Sequence, residues 1–97
     1  MHLESSKIKT IQKYFKTCPV IKAYLFGSYV KNTFTETSDI DILVELDYSK
    51  NVGLEFIQMQ LDLEKLLSQK VDLVSARGLS KYIKPIIESE KELIYAR

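Results

Sequence analysis

The sequence predicts an α/β layer fold, with helices packed on a sheet, and two observations carry that prediction. Segments of helical and strand periodicity alternate along the chain. The composition is that of an ordinary globular domain: 97 residues, 45% hydrophobic and 28% charged, with three Gly and two Pro. A domain of this size buries roughly 60–65% of the surface its unfolded chain exposes, enough for a modest core without staples.

The elements follow in order. Ser5 and Ser6 are candidate N-caps for a first helix. In it Ile8, Ile11, Tyr14 and Phe15 recur at helical spacing, with lysines between them, and Pro19 closes it. Val20 to Phe26 reads as a strand ended by Gly27, and a short helix is expected from Ser28 to about Asn32. The polar stretch Thr33 to Ser38 reads as a loop. Asp39 to Leu46 is the clearest strand. Ile40, Ile42, Val44 and Leu46 occupy one phase, and Asp39, Asp41, Leu43 and Glu45 the other.

A loop over Asp47 to Asn51 leads into a long helix from about Val52 to Ser68. Its apolar positions include Leu54, Ile57, Leu61 and Leu66. It is apolar on more than one side, and the expectation is core rather than interface. Val71 to Val74 reads as a third strand, Ser80 to Lys91 as a last helix, and Leu93, Ile94 and Tyr95 as a terminal strand. Pro85 must either kink that last helix or mark its true first turn.

Bulk properties narrow the function. Net charge is +1, so the field of the whole molecule points to neither nucleic acid nor membrane, and any phosphate binding must be local. The single cysteine, Cys18, permits no internal disulfide and suits a reducing cytoplasm. No apolar run approaches the roughly 18–20 residues that cross a bilayer. The N-terminus carries no apolar stretch of the signal-peptide kind.

The chemistry concentrates in three places. Asp39 and Asp41, spaced i and i+2 at the head of an apolar strand, leave the same face. Asp is depleted in strands and adjacent like charges repel, so a cation should offset them. Their Cα atoms stand roughly 6–7 Å apart, close enough for both carboxylates to serve one metal or grip a pair. Asp72 lies between Val71 and Leu73. If those two face the helices, Asp72 shares the open face with Asp39 and Asp41. Three hard oxygen donors on one face suit Mg²⁺. A lone Asp-x-Asp is most often a solvated turn or strand edge; the coincidence with Asp72 and an upstream Gly-Ser makes a site.

Gly27 and Ser28 stand where a strand gives way to a short helix. A Gly there lets the backbone approach a ligand, and the N–H groups that follow, with the Ser28 hydroxyl, can receive phosphate oxygens. Ser28 alone would also serve as a plain N-cap. Lys31, one turn on, is within reach of a phosphate or is a solvated helix residue. Ser38 heads the aspartate pair and joins Gly27, Ser28 and Lys31 as a nucleotide-binding candidate.

Together, Gly27-Ser28, Ser38-Asp39-x-Asp41 and the later Val71-Asp72-Leu73-Val74 resemble the minimal nucleotidyltransferases of the DNA polymerase beta superfamily. The resemblance covers nearly the whole chain. It implies one nucleotidyltransferase domain over residues 1–97, a small mixed sheet flanked by helices, and nucleotidyl transfer with two Mg²⁺ ions. By that analogy Gly27 and Ser28 hold the nucleoside triphosphate. Asp39 and Asp41 bind both ions; Asp72 binds the catalytic one and helps deprotonate the acceptor hydroxyl. Where relatives often carry Ala-Arg-Gly, this chain has Val30-Lys31-Asn32, and Lys lacks the bidentate fork of Arg.

A chain of 97 residues is expected to leave no room for a second domain to hold the acceptor, so acceptor recognition must be borrowed from a partner, whether another protein or a second copy of this chain. Stand-alone chains of this type resemble the antitoxins of modules that also encode a HEPN ribonuclease toxin, and such antitoxins transfer AMP from ATP to a toxin tyrosine. The expected partner is therefore a HEPN-type toxin encoded nearby, in a hetero-oligomer in the cytoplasm. The alternatives are a non-catalytic antitoxin acting by stoichiometric contact, and a small-molecule nucleotidyltransferase. Tyr29, Tyr48 and Tyr82 are candidate surface contacts, Phe34 is expected to anchor its loop, with stacking on a base as the alternative, and His2 is part of a frayed terminus.

Overall fold

The computed structural model describes residues 3–31, 33, 35 and 37–97. The expectations attached to His2, Asn32 and Phe34 lie outside the described residues. Helix α1 spans Ser5–Phe15, and its N-cap is Glu4, not a serine. The Glu4 carbonyl accepts from the N–H groups of Lys7 and Ile8, which places both serines inside the first turn. Strand β1 (Val20–Phe26) runs into α2 (Ser28–Lys31), and β2 covers Ile40–Leu46. Helix α3 (Gly53–Leu67), strand β3 (Val71–Ser75), a 3₁₀ turn (Ala76–Gly78), α4 (Lys84–Glu90) and β4 (Glu92–Ala96) complete the order.

The four strands form one sheet in the order β3-β2-β1-β4. β1 pairs antiparallel with β2 and β4, whereas β2 and β3 are parallel. The sheet is therefore mixed, and α3 is the crossover that parallel neighbours require. The last helix is shorter than its polar-apolar pattern suggests. Pro85 lies in its first turn, where a missing N–H costs nothing, so helical winding begins at Lys84 rather than Ser80.

One face of the sheet makes the core. Ile40, Ile42 and Val44 of β2 are fully buried, joined by Val71 and Leu73 of β3 and Ala23 and Leu25 of β1. Helix α1 contributes Ile11 and Phe15, and α3 contributes Met59, Leu63 and Leu67. Burial of each large aliphatic contributes roughly 1.5–3 kcal/mol. The Tyr14 hydroxyl donates to Asp62 Oδ2 at 2.5 Å, tying α1 to α3. Burial and that bond hold the Tyr14 phenol well above its usual pKa.

Helix α3 corrects the sequence-based expectation. Its core face is Met59, Leu63 and Leu67, while Leu54, Ile57, Leu61 and Leu66 stay exposed, Leu54 at 84%. A helix apolar on more than one side can dock only one face on a single sheet, and the strand surface selects the 59–63–67 row. Tyr29 is likewise buried rather than a surface contact, whereas Tyr48 and Tyr82 are exposed. Leu43, on the aspartate phase of β2, is also buried, at 1% exposure, and lies outside the main cluster as Ile87 of α4 does. The second face of the sheet is thus partly covered.

Candidate active site

The site is assembled at one end of the sheet by strand register. Asp41 stands opposite Phe26, the last residue of β1, and on its other side opposite Asp72 of β3. In β3, Val71 and Leu73 are buried and Asp72 is exposed, so the pleat turns Asp72 away from the core. Asp39 precedes Asp41 by two residues, at the entry to β2. The three aspartates, 33 residues apart at the extremes, thereby share one neighbourhood.

Their charges act on one another. The Asp41 carboxyl is pushed up to about 6 by its half-burial first, then by the negative charges of Asp72, Asp39 and Glu90. Loss of water and crowding by like charge both disfavour the ionised form. Among the described residues, however, no three acidic, His or Cys side chains close on a common point as a metal cage. The donor set itself, carboxylate oxygens with uncompensated mutual repulsion, is the chemistry a hard divalent cation requires.

Gly27 forms the turn beside these carboxylates. Its φ is +77°, and a Cβ there would overlap Asp41 Oδ2 and come within 3.1 Å of its Cγ. Both facts demand glycine. The Gly27 carbonyl accepts from the N–H groups of Val30 and Lys31, each at 3.1 Å, and so winds Ser28 into the short α2. Ser28 is partly buried next to this turn, and Lys31 is exposed at the end of α2.

Ser38 is tied into its own loop. Its hydroxyl accepts from the Thr35 N–H at 2.7 Å. Its carbonyl accepts from Gln69 Nε2 at 2.9 Å. The same Gln69 amide bonds the Tyr29 hydroxyl, and its Oε1 accepts from Lys7 Nζ at 2.7 Å. One side chain therefore links α1, α2 and the segment leading to Asp39. Sequence reasoning passed over Gln69, since a Gln between a helix and a strand carries no signal of its own.

Glu90 was also missed. Its Oε1 accepts from the Gly27 N–H at 3.1 Å, and its Oε2 pairs with Lys31 Nζ at 3.1 Å. It ends α4, 63 residues from Gly27, and only tertiary folding brings the two together. Farther along this face, Lys91 Nζ lies 4.1 Å from the Tyr24 ring centroid and pairs with Glu88 at 2.8 Å. The Tyr24 hydroxyl donates to Glu45 at 3.1 Å. The start of β4 is thus fastened across β1. Among the described residues no helix is long and apolar enough to cross a membrane.

Known proteins resemble this chain in sequence and in fold. A model of the nucleotidyltransferase domain family matches residues 6–94, a span that contains every candidate above. MJ0128 of Methanocaldococcus jannaschii, a proposed protein adenylyltransferase, is 47% identical over 72 residues, covering 73% of this chain and 70% of that protein. The protein adenylyltransferase MntA of Thermococcus cleftensis is 38% identical over 71 residues, covering 73% and 69%. In fold alone, the chain matches one from the solved complex of a tri-AMPylated Shewanella oneidensis HEPN toxin with its MNT antitoxin. That match has a TM-score of 0.74 at 21% identity, over 98% of this chain and 74% of that one.

Proposed function

The chain belongs to the nucleotidyltransferase domain family, and we propose that within it this protein is an antitoxin that transfers AMP from ATP to a tyrosine hydroxyl of a HEPN-type ribonuclease toxin. The observation that carries this reading is the register that sets Asp41 between the Gly27 turn and Asp72. It is supported by likeness to MntA of Thermococcus cleftensis, a protein adenylyltransferase, and in fold to a complex whose toxin is AMPylated.

In this reading Gly27, Ser28 and Lys31, with Ser38 at the head of the aspartate segment, receive the triphosphate. Asp39, Asp41 and Asp72 would hold Mg²⁺, two ions in the full site, which when bound supplies charge neutralisation at the attacking and leaving oxygens. Like charges that repel in the free protein are drawn together by such a cation. Asp72, the most exposed of the three, faces the side from which an acceptor enters and helps take its hydroxyl proton. The acceptor oxygen bonds the α-phosphorus, the bond from that phosphorus to the bridging oxygen breaks, and pyrophosphate leaves. The acceptor tyrosine belongs to the partner, which also completes the site sterically.

The experiment combines the chain with the HEPN-type protein encoded beside it, ATP and Mg²⁺, and weighs the partner. A nucleotide-sized mass gain on a toxin tyrosine, with loss of ribonuclease activity, is the expected result. A bound but unmodified partner would defeat the catalytic reading.

A second reading, neutralisation by contact alone, is favoured by Lys31, which replaces the usual Arg and is already paired with Glu90. The D39N/D41N double variant separates the two. Full protection from the toxin by that variant means contact suffices.

A further inference from the structure

Gly27 and Lys31 are two of the residues assigned above to the triphosphate, and in this structure the Gly27 N–H and the Lys31 ammonium are both engaged by a single carboxylate. Glu90 gives one oxygen to each, at 3.1 Å in both cases. Its side chain is only 14% exposed, against 52% for Lys31, so the pair is anchored from the Glu90 side. A carboxylate with its charge spread over two oxygens, one on a backbone N–H and one on an ammonium, has the form of a bound phosphate edge. It also adds a fourth negative charge to the neighbourhood of Asp41.

We propose that Glu90 is a positioning residue that holds the phosphate-binding groups of the turn in their working geometry and yields its place to the incoming triphosphate. The inference rests on the nucleotide reading above. It follows from the donors present. The Gly27 N–H has one proton to give, and it cannot serve Glu90 and a phosphate oxygen at full strength together. Retaining Glu90 in place would also set a carboxylate against a polyanion, whereas displacing it exchanges one anion for another on the same donors. Glu90 is the last residue of α4, and Lys91 after it is extended, with φ −64° and ψ 144°. The side chain therefore sits at a corner of the chain rather than inside a helical turn.

Such a residue lowers nucleotide affinity while keeping the empty turn ordered. Replacing Glu90 by Gln preserves shape and an acceptor for the Gly27 N–H but removes the competing charge. The test is isothermal titration of ATP in the presence of Mg²⁺ into the wild-type chain, E90Q and E90Q/K31M, each checked for folding by thermal melt. E90Q should bind ATP about two- to fivefold more tightly, the scale of a partly exposed ion pair. Adding K31M should cancel that gain, because the freed ammonium is what the phosphate uses. The Gly27 amide resonance should move on ATP addition in both the wild type and E90Q.

Equal or weaker binding by folded E90Q, with the wild type still binding ATP, overturns this inference and leaves the nucleotide reading standing. So does a gain in E90Q that survives K31M. Absence of ATP binding by wild type and E90Q alike overturns the nucleotide reading and this inference with it.

Discussion

The Asp41 carboxylate packs directly on the Cα of Gly27, leaving no space for a Cβ. A backbone turn and a candidate metal ligand are thus fitted to one another as a unit. The turn takes φ +77°, which only glycine adopts readily, and the strand register that sets Phe26 opposite Asp41 supplies the contact.

Gly27→Ala should therefore fail twice, through backbone strain and through displacement of Asp41. The expected cost is about 1–3 kcal/mol of stability, the range for a residue forced into a sparsely populated conformation. Chemical denaturation measures it. An alanine variant as stable as the wild type would show that Asp41 does not sit against this turn.

The raised titration of Asp41 gives a second prediction. Burial and the charges of Asp72, Asp39 and Glu90 lift it to about 6. Asp72→Asn removes a negative charge, so the Asp41 carboxyl should titrate lower, toward the ordinary carboxylate range. Carbon-detected NMR of the side-chain carboxyl follows this directly. An unchanged midpoint would mean that Asp72 does not face Asp41.

The same shift fixes the sign of a stability effect. A carboxylate whose folded-state pKa is raised favours the fold fully below its unfolded value near 4, and that contribution is lost as pH rises through about 6. Metal-free Asp41→Asn should accordingly melt no lower than the wild type at pH 8, with its advantage vanishing below about pH 4. Its transfer activity should nevertheless fall by at least about a hundredfold, the scale of deleting one preorganised electrostatic contact. A lower melting temperature at pH 8 would contradict the like-charge crowding.

Helix α3 offers a contrast within one element. Leu63 is fully buried and Leu61 is 52% exposed. Leu63→Ala should cost about 2–5 kcal/mol and Leu61→Ala about 0.5 kcal/mol or less. Urea titration of the two variants decides which row of the helix meets the sheet.

Much was legible in the linear pattern because it depends on neighbours in the chain. Alternation over Ile40 to Leu46 set the phase of β2, and with it the side from which Asp41 leaves the strand. Val71 and Leu73 flanking Asp72 did the same for β3. Pro85 left two possibilities, a kink or a first turn, and the structure takes the second, since a residue without an N–H fits there. The choice of face on α3 was hidden, because a helix apolar on several sides is locally consistent with each. The end of α3 was read to within one residue, at Ser68, but not its form: Ser68 adopts the left-handed φ of 50° that a glycine usually marks.

From its own order of residues this chain determined a helix–strand alternation, the strand phase that carries Asp41 and a glycine turn ahead of it. Those are properties of dihedral preference and side-chain period, which extend over a few residues. Only the folded sheet decided that Asp72 stands opposite Asp41 and that Glu90 reaches back to Gly27 and Lys31. Contacts between such distant positions arise from the parallel crossover through α3 and the return of β4 beside β1. They are selected by burial of the whole core, a sum over residues that no local pattern contains.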